Sequence, residues 1–210
     1  MSVLEQETPR ERPRRRHGLR WTAVIVVIAA VAVGGVVGMR WWQRQSTAIV
    51  GERERSFPAV DETQLSDSQI RIVDTLKREF QAQPPGTKYS EGNAEAWCAD
   101  FVSWVMRDAG QPLSNPNSGS WRIPGVYTLE TYFRGQNRFQ EANSGYHPRV
   151  GDVVLYGDAS PFHQHTNIVV ADDGNTLTTV GGNEMGEVRI HKYRLADISG
   201  LAGYGVLGTR

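Results

Sequence analysis

The chain has 210 residues, 39% of them hydrophobic, and its 23 basic and 23 acidic side chains leave it formally neutral. Neutrality argues against nucleic acid as the main partner, and the length suits one domain of ordinary size beside a non-globular segment. One cysteine, Cys98, excludes an intramolecular disulfide and leaves that sulfur as a small buried hydrophobe or a reactive thiol.

Residues 1–20 form a basic tail, with six arginines against three glutamates. Residues 21–39, WTAVIVVIAAVAVGGVVGM, carry no charge. An uncharged stretch of about 20 residues can span the hydrocarbon core as a single helix. Trp21, Trp41 and Trp42 flank it as interfacial aromatics do. A cleaved signal peptide would have a shorter apolar core and a small-residue cleavage site, and Gly38-Met39-Arg40-Trp41-Trp42 is a poor one. The arginine excess before the span, compared with Arg40, Arg44, Arg53 and Arg55 after it, orients the N-terminus to the cytoplasm and the rest outside. Residues 40–66 are polar, contain Pro58 and read as a linker.

Ser66 followed by Gln69 matches a capping box and starts a helix. Ile70, Val73, Leu76, Lys77 and Phe80 follow at helical spacing, and Pro84-Pro85-Gly86 stops it. A second helix covers 94–109, with Trp97, Phe101 and Val105 every four residues and Gly110 as its stop. Residues 111–125 are too rich in Pro, Gly, Asn and Ser for a regular element, and a short helix is expected over 128–134. The last third reads as strands at 150–156, 166–171, 176–180 and 187–194. Asp173-Gly174-Asn175 signals a hairpin, Gly181-Gly182-Asn183 a turn, and 204–208 an added edge strand. Helices before an antiparallel meander predict an α+β domain over 67–210.

Cys98 falls where the second helix should begin, and unpaired N–H groups and the helix dipole stabilise a thiolate there. A cysteine hydrolase also needs an imidazole, and a polar group to orient it. Of the five histidines, His17 precedes the anchor, His147 lies in a loop and His191 lies in a late strand. His165, at the start of a central strand, is the favoured base, with His163 in reserve. His163-Gln164-His165 could also pair on a metal, but no second ligand cluster supports this, so no metal and no cofactor is expected. Asn183 is the candidate orienting group, or else a turn residue.

The run Trp97-Cys98-Ala99-Asp100-Phe101-Val102-Ser103-Trp104, then Gly151-Asp152, His165-Thr166-Asn167 and Val180-Gly181-Gly182-Asn183, resembles the CHAP family over roughly residues 67–200. These are cysteine- and histidine-dependent amidohydrolases and peptidases of the papain-like superfamily. The resemblance implies a papain-like α+β fold and hydrolysis of amide bonds in bacterial peptidoglycan, with Cys98 as nucleophile and His165 as base. The sequence departs from the family at two places: Gly181 stands where many relatives carry an acid, and Trp97 stands where many carry a polar side chain. Beside the backbone N–H of Cys98, Tyr89 and Asn93 are candidate oxyanion donors. Trp97, Trp121 and Tyr127 are candidates to line a substrate groove, with Tyr132 nearby. The rival reading, prompted by Gly181, is a catalytically weak or inactive module that binds wall peptides or regulates another wall hydrolase.

Overall fold

The computed structural model describes residues 51–161 and 163–208, with the side chain of Leu195 outside the description. The expected tail, membrane anchor and residues 40–50 of the linker also lie outside the described residues. Among the described residues no helix is long and apolar enough to cross a membrane.

These residues form three α-helices and seven strands. In chain order they are β1 (Glu52–Glu54), α1 (Asp67–Ala82), α2 (Cys98–Asp108), α3 (Val126–Gly135), β2 (Phe139–Glu141), β3 (Val153–Tyr156), β4 (His165–Asp172), β5 (Thr176–Glu184), β6 (Glu187–Arg194) and β7 (Leu201–Gly205). The strands make one antiparallel sheet in the order β1-β6-β5-β4-β3-β7-β2. The α+β expectation holds for this part of the chain.

Local chemistry accounts for the helix ends. Ser66 caps α1: its hydroxyl accepts from the Gln69 N–H, and its own N–H donates to Gln69 Oε1 at 2.9 Å. Gln83 closes the helix in the left-handed region at φ 45°, just before the two prolines. α2 begins four residues later than its apolar spacing suggests. Glu91 and Gly92 take positive φ and hold the preceding segment in turns, so the helix starts at Cys98.

Residues 98–106 of α2 are all buried, and the helix lies across β4 and β5. Gly182 allows this approach, since a Cβ there would sit 2.5 Å from Cβ of Phe101. The main core joins the helices to Val153, Leu155, Ile168, Val170, Val180, Val188 and Ile190. Complete burial of a side chain such as Phe101 stabilises by about 1.5–3 kcal/mol. The opposite sheet face carries a smaller cluster of Val154, Tyr156, Val169, Leu177 and Tyr204.

Three expectations need correction. Residues 52–54, read as linker, pair with β6 as an edge strand, and Phe57 packs on Phe80. The run Glu-Arg-Glu has no apolar signal, because pairing there is made by the backbone. β7 is not an edge: it lies between β3 and β2. Finally, β5 does not stop at Val180 but runs on to Glu184. Asp152 of the Gly-Asp motif is fully buried; it accepts from the N–H groups of Arg149 and Leu207 and from the Tyr146 hydroxyl, tying two loops to β3.

Candidate active site

Cys98 is the first residue of α2, and the preceding Trp97 gives the helix no side-chain cap. The N–H groups of this first turn therefore have neither an intrahelical acceptor nor a capping oxygen. An uncapped N-terminus is costly in general, but here it leaves donors and the positive end of the dipole beside the sulfur. The side chain is largely buried, and Cys98 is 6% exposed.

His165 opens β4 and is paired across the sheet with Tyr156, whose ring stacks on the imidazole with centroids 6.1 Å apart. It is hydrogen-bonded to Cys98. Its Nε2 lies 3.2 Å from Oε1 of Glu184. Burial alone would pull the imidazole pKa down. The hydrogen bonds to Cys98 and Glu184, with their charges, outweigh it and hold His165 at about 10. His165 therefore keeps its proton well above the ordinary imidazole range.

The carboxylate partner comes from an unexpected position. Between Gly181 and Glu184 the β5–β6 register shifts, with Gly181 opposite Arg189 and Glu184 opposite Glu187. Asn183 sits inside this bulge at φ 59°. The extra residue turns Glu184 back over the strand. Its Oε1 lies 2.0 Å from where a Cβ on Gly181 would be. The carboxylate from position 184 thus fills the space that a side chain at 181 would occupy, and Gly181 is the residue that leaves room for it. Burial pushes the Glu184 carboxyl up, but His165 and His191 outweigh this and hold it down at about 2. Nδ1 of His191 lies 2.6 Å from Oε2.

The other expected site residues are placed as follows. Asn183 is partly exposed, and its side chain makes no hydrogen bond among the described residues; the group on His165 is its neighbour Glu184. The Tyr89 hydroxyl donates to buried Glu79 at 2.9 Å and is not free for an oxyanion. Asn93 donates its amide to the Ser90 carbonyl at 2.7 Å. Trp97 is buried, stacked on Tyr89 with centroids 5.1 Å apart, so it builds core rather than groove. Trp121 lies against the Arg107 guanidinium, toward the far end of α2 from Cys98. Tyr132 is buried and accepts from Arg138 at 2.6 Å.

Tyr127 is the groove candidate that remains exposed. Its hydroxyl donates to Asp158, which also accepts from Gln164 at 3.1 Å, so it braces the loop that leads into His165. His163 is exposed at φ 55°, and no metal-binding cluster occurs among the described residues. On the opposite flank, buried Asp100 lies 2.8 Å from Nε of Arg122 and fastens the 111–125 loop to the start of α2.

Sequence reasoning missed Glu184 because Gly181-Gly182-Asn183 looks like a turn. The true turn is Met185-Gly186, both at positive φ, the two-residue pattern that suits a tight hairpin. That Gly, directly before Glu187 at the head of β6, was the available signal.

Residues 89–183 match the CHAP domain as a family. The match ends one residue before Glu184. No curated protein sequence matches the chain. Among solved structures, the crystal structure of Ly7917 shares 16% identity over 66% of this chain and 62% of its own, with a TM-score of 0.44. Ly7917 with the hydrolysing product of MDP shares 19% identity over 68% and 64%, also with a TM-score of 0.44. PlyC shares 14% over 71% and 42%, with a TM-score of 0.39. The chain therefore spans less than two thirds of the length of each.

Proposed function

We propose that this chain, which carries a CHAP domain over residues 89–183, is a cysteine hydrolase that cleaves amide bonds in bacterial peptidoglycan, as amidase or endopeptidase. The observation that carries the reading is the line Cys98–His165–Glu184 at an uncapped helix start. The Cys98 sulfur attacks the amide carbonyl carbon, and the carbonyl electrons move to oxygen, which faces the N–H groups of the first turn of α2. His165 then gives its proton to the departing amine as the C–N bond breaks. The product is a thioester on Cys98. Water attacks that thioester while His165 takes its proton, and the thiolate leaves with the acid product. Glu184 stays ionised and holds the imidazole in register through both steps.

The uncharged stretch 21–39 supports the further reading that the chain is a single-pass membrane protein, with its N-terminus in the cytoplasm and its hydrolase domain outside. Cys98, the lone cysteine, tests this: a membrane-impermeant maleimide applied to intact cells should label the chain, and labelling only after lysis would refute the orientation.

For the activity, the full chain in detergent is incubated with purified peptidoglycan and the fragments are identified by mass. New amine or peptide termini name the bond. Cys98→Ala should abolish their release, and undiminished release by that variant would sink the assignment.

A further inference from the structure

The catalytic line does not end at Glu184. His191 stands in the middle of β6, directly opposite Thr179 of β5 and Arg53 of β1. It is 6% exposed. Its Nδ1 lies 2.6 Å from Oε2 of Glu184, and neither buried atom completes an aligned hydrogen bond among the described residues. The other oxygen of the same carboxylate faces His165. Glu184 is thus held between two imidazoles, one on each oxygen.

We propose that His191 is a positioning residue of this site: its Nδ1–H fixes the carboxylate of Glu184 so that Oε1 stays aimed at His165. The proposal rests on the Cys98–His165 reading of the site. The need for it follows from the bulge. Glu184 reaches the site from a looped-out stretch next to a tight turn, with Asn183, Met185 and Gly186 all at positive φ. A carboxylate delivered from such a stretch is less constrained than one standing on the regular strand at 181. An ionised carboxylate has no proton to offer, so for His191 to hold Glu184 the proton must sit on its Nδ1. A second contact from the rigid centre of β6 supplies the missing constraint.

Other charges surround this pair. Arg53 lies across from His191 on β1, and Arg189 two residues along β6; both point their guanidinium groups to Glu187. Tyr193, on the same face of β6, shares a 2.6 Å hydrogen bond with Tyr156, the residue stacked on His165. From β4 the facing titratable group is His165 itself.

The test uses the full chain and reads Cys98 directly, so it does not depend on the substrate. Iodoacetamide alkylation is followed from pH 4 to 11 in wild type, His191→Leu, His191→Asn and His191→Gln. Leu removes the donor. Asn returns one near the Nδ1 position, and Gln places it too far along the side chain. The proposal expects His191→Leu to raise the acid limb of alkylation and to lower kcat/KM on peptidoglycan on the order of tenfold, mostly in kcat. Asn should restore most of both, and Gln should not. An identical profile in Leu and wild type, or equal behaviour of Asn and Gln, would overturn it. Should Leu not fold, the Asn–Gln comparison stands alone, as does the 15N spectrum of the wild-type imidazoles. There a bare Nδ1 on His191 refutes the proposal. The expected differences among the Leu, Asn and Gln profiles, with no hydrolysis of peptidoglycan by wild type, would count against the proposed function alone and uphold the role of His191.

Discussion

Replacing Glu184 by Gln keeps the size of the side chain and removes its charge. Both contacts are sheltered: the side chains of Glu184 and His165 are 7% and 13% exposed, so solvent screening is slight. A charge-assisted hydrogen bond of this kind contributes about 1.5–3 kcal/mol. If it acts mainly by holding the imidazolium, kcat/KM should fall roughly 10- to 100-fold. The alkaline limb should move as well. His165 sits at about 10 because Cys98 and Glu184 overcome its burial. Removing one of the two should bring the limb down by about 1–2 pH units. Stability follows the same groups. His165 is held above its ordinary 6.5, so its contribution is complete below pH 6.5 and is lost as pH rises through about 10. Glu184 is held below its ordinary 4.5, so its contribution is present above pH 4.5 and is lost as pH falls through about 2. The Tm gap between wild type and Glu184→Gln should therefore be widest between pH 4.5 and 6.5 and narrow on both sides. Rates of amine release across pH 5–11 and melting curves across pH 2–10 make the assay. Full activity with an unmoved alkaline limb, or a larger loss from Asn183→Ala, would refute the reasoning.

Three further outcomes follow from the same geometry. Gly181→Ala puts a Cβ 2.0 Å from Oε1 of Glu184; it should lose activity to the level of Glu184→Gln, and the double variant should be no worse, since both remove one contact. Gly181→Glu placed on Glu184→Ala should recover part of the lost kcat/KM by returning a carboxylate from the strand itself, and a folded double variant without recovery would count against it. Tyr89→Phe should lower stability by about 1–3 kcal/mol by removing one hydrogen bond from the buried Glu79 carboxylate, which keeps Lys88 and Arg78, and leave kcat unchanged; a fall in kcat at constant Tm would return Tyr89 to the oxyanion role.

Much of this domain could be read before it was seen in three dimensions. Ser66 and Gln69 named the start of α1 because a capping box is a local exchange of two hydrogen bonds. Runs rich in Val, Ile, Thr and Tyr located β3, β4 and β6, since β-branched and aromatic side chains suit a packed, pleated sheet. Cys98 and His165 were legible because a lone thiol at a helix start and a histidine at a strand start each carry their own context. Other features left no such trace. Nothing in Glu52-Arg53-Glu54 marks a strand, because the partner is the exposed edge of β6 and the bonds are backbone bonds. Trp97 and Trp121 looked suited to a groove, yet aromatic character does not say which way a ring points, and one is stacked in the core while the other covers Arg107.

Residue order alone determined where α1 starts, that the chain holds one thiol and an uncharged stretch at 21–39, and that a histidine follows at the head of a strand. The tertiary structure decided which acid serves that histidine. A bulge moves Glu184 into the space above Gly181 and between His165 and His191, residues 19 and 7 positions away in the chain. Periodicity could not foretell this, because a bulge is a break in period, and which face Glu184 takes is fixed by the register of β5 against β6.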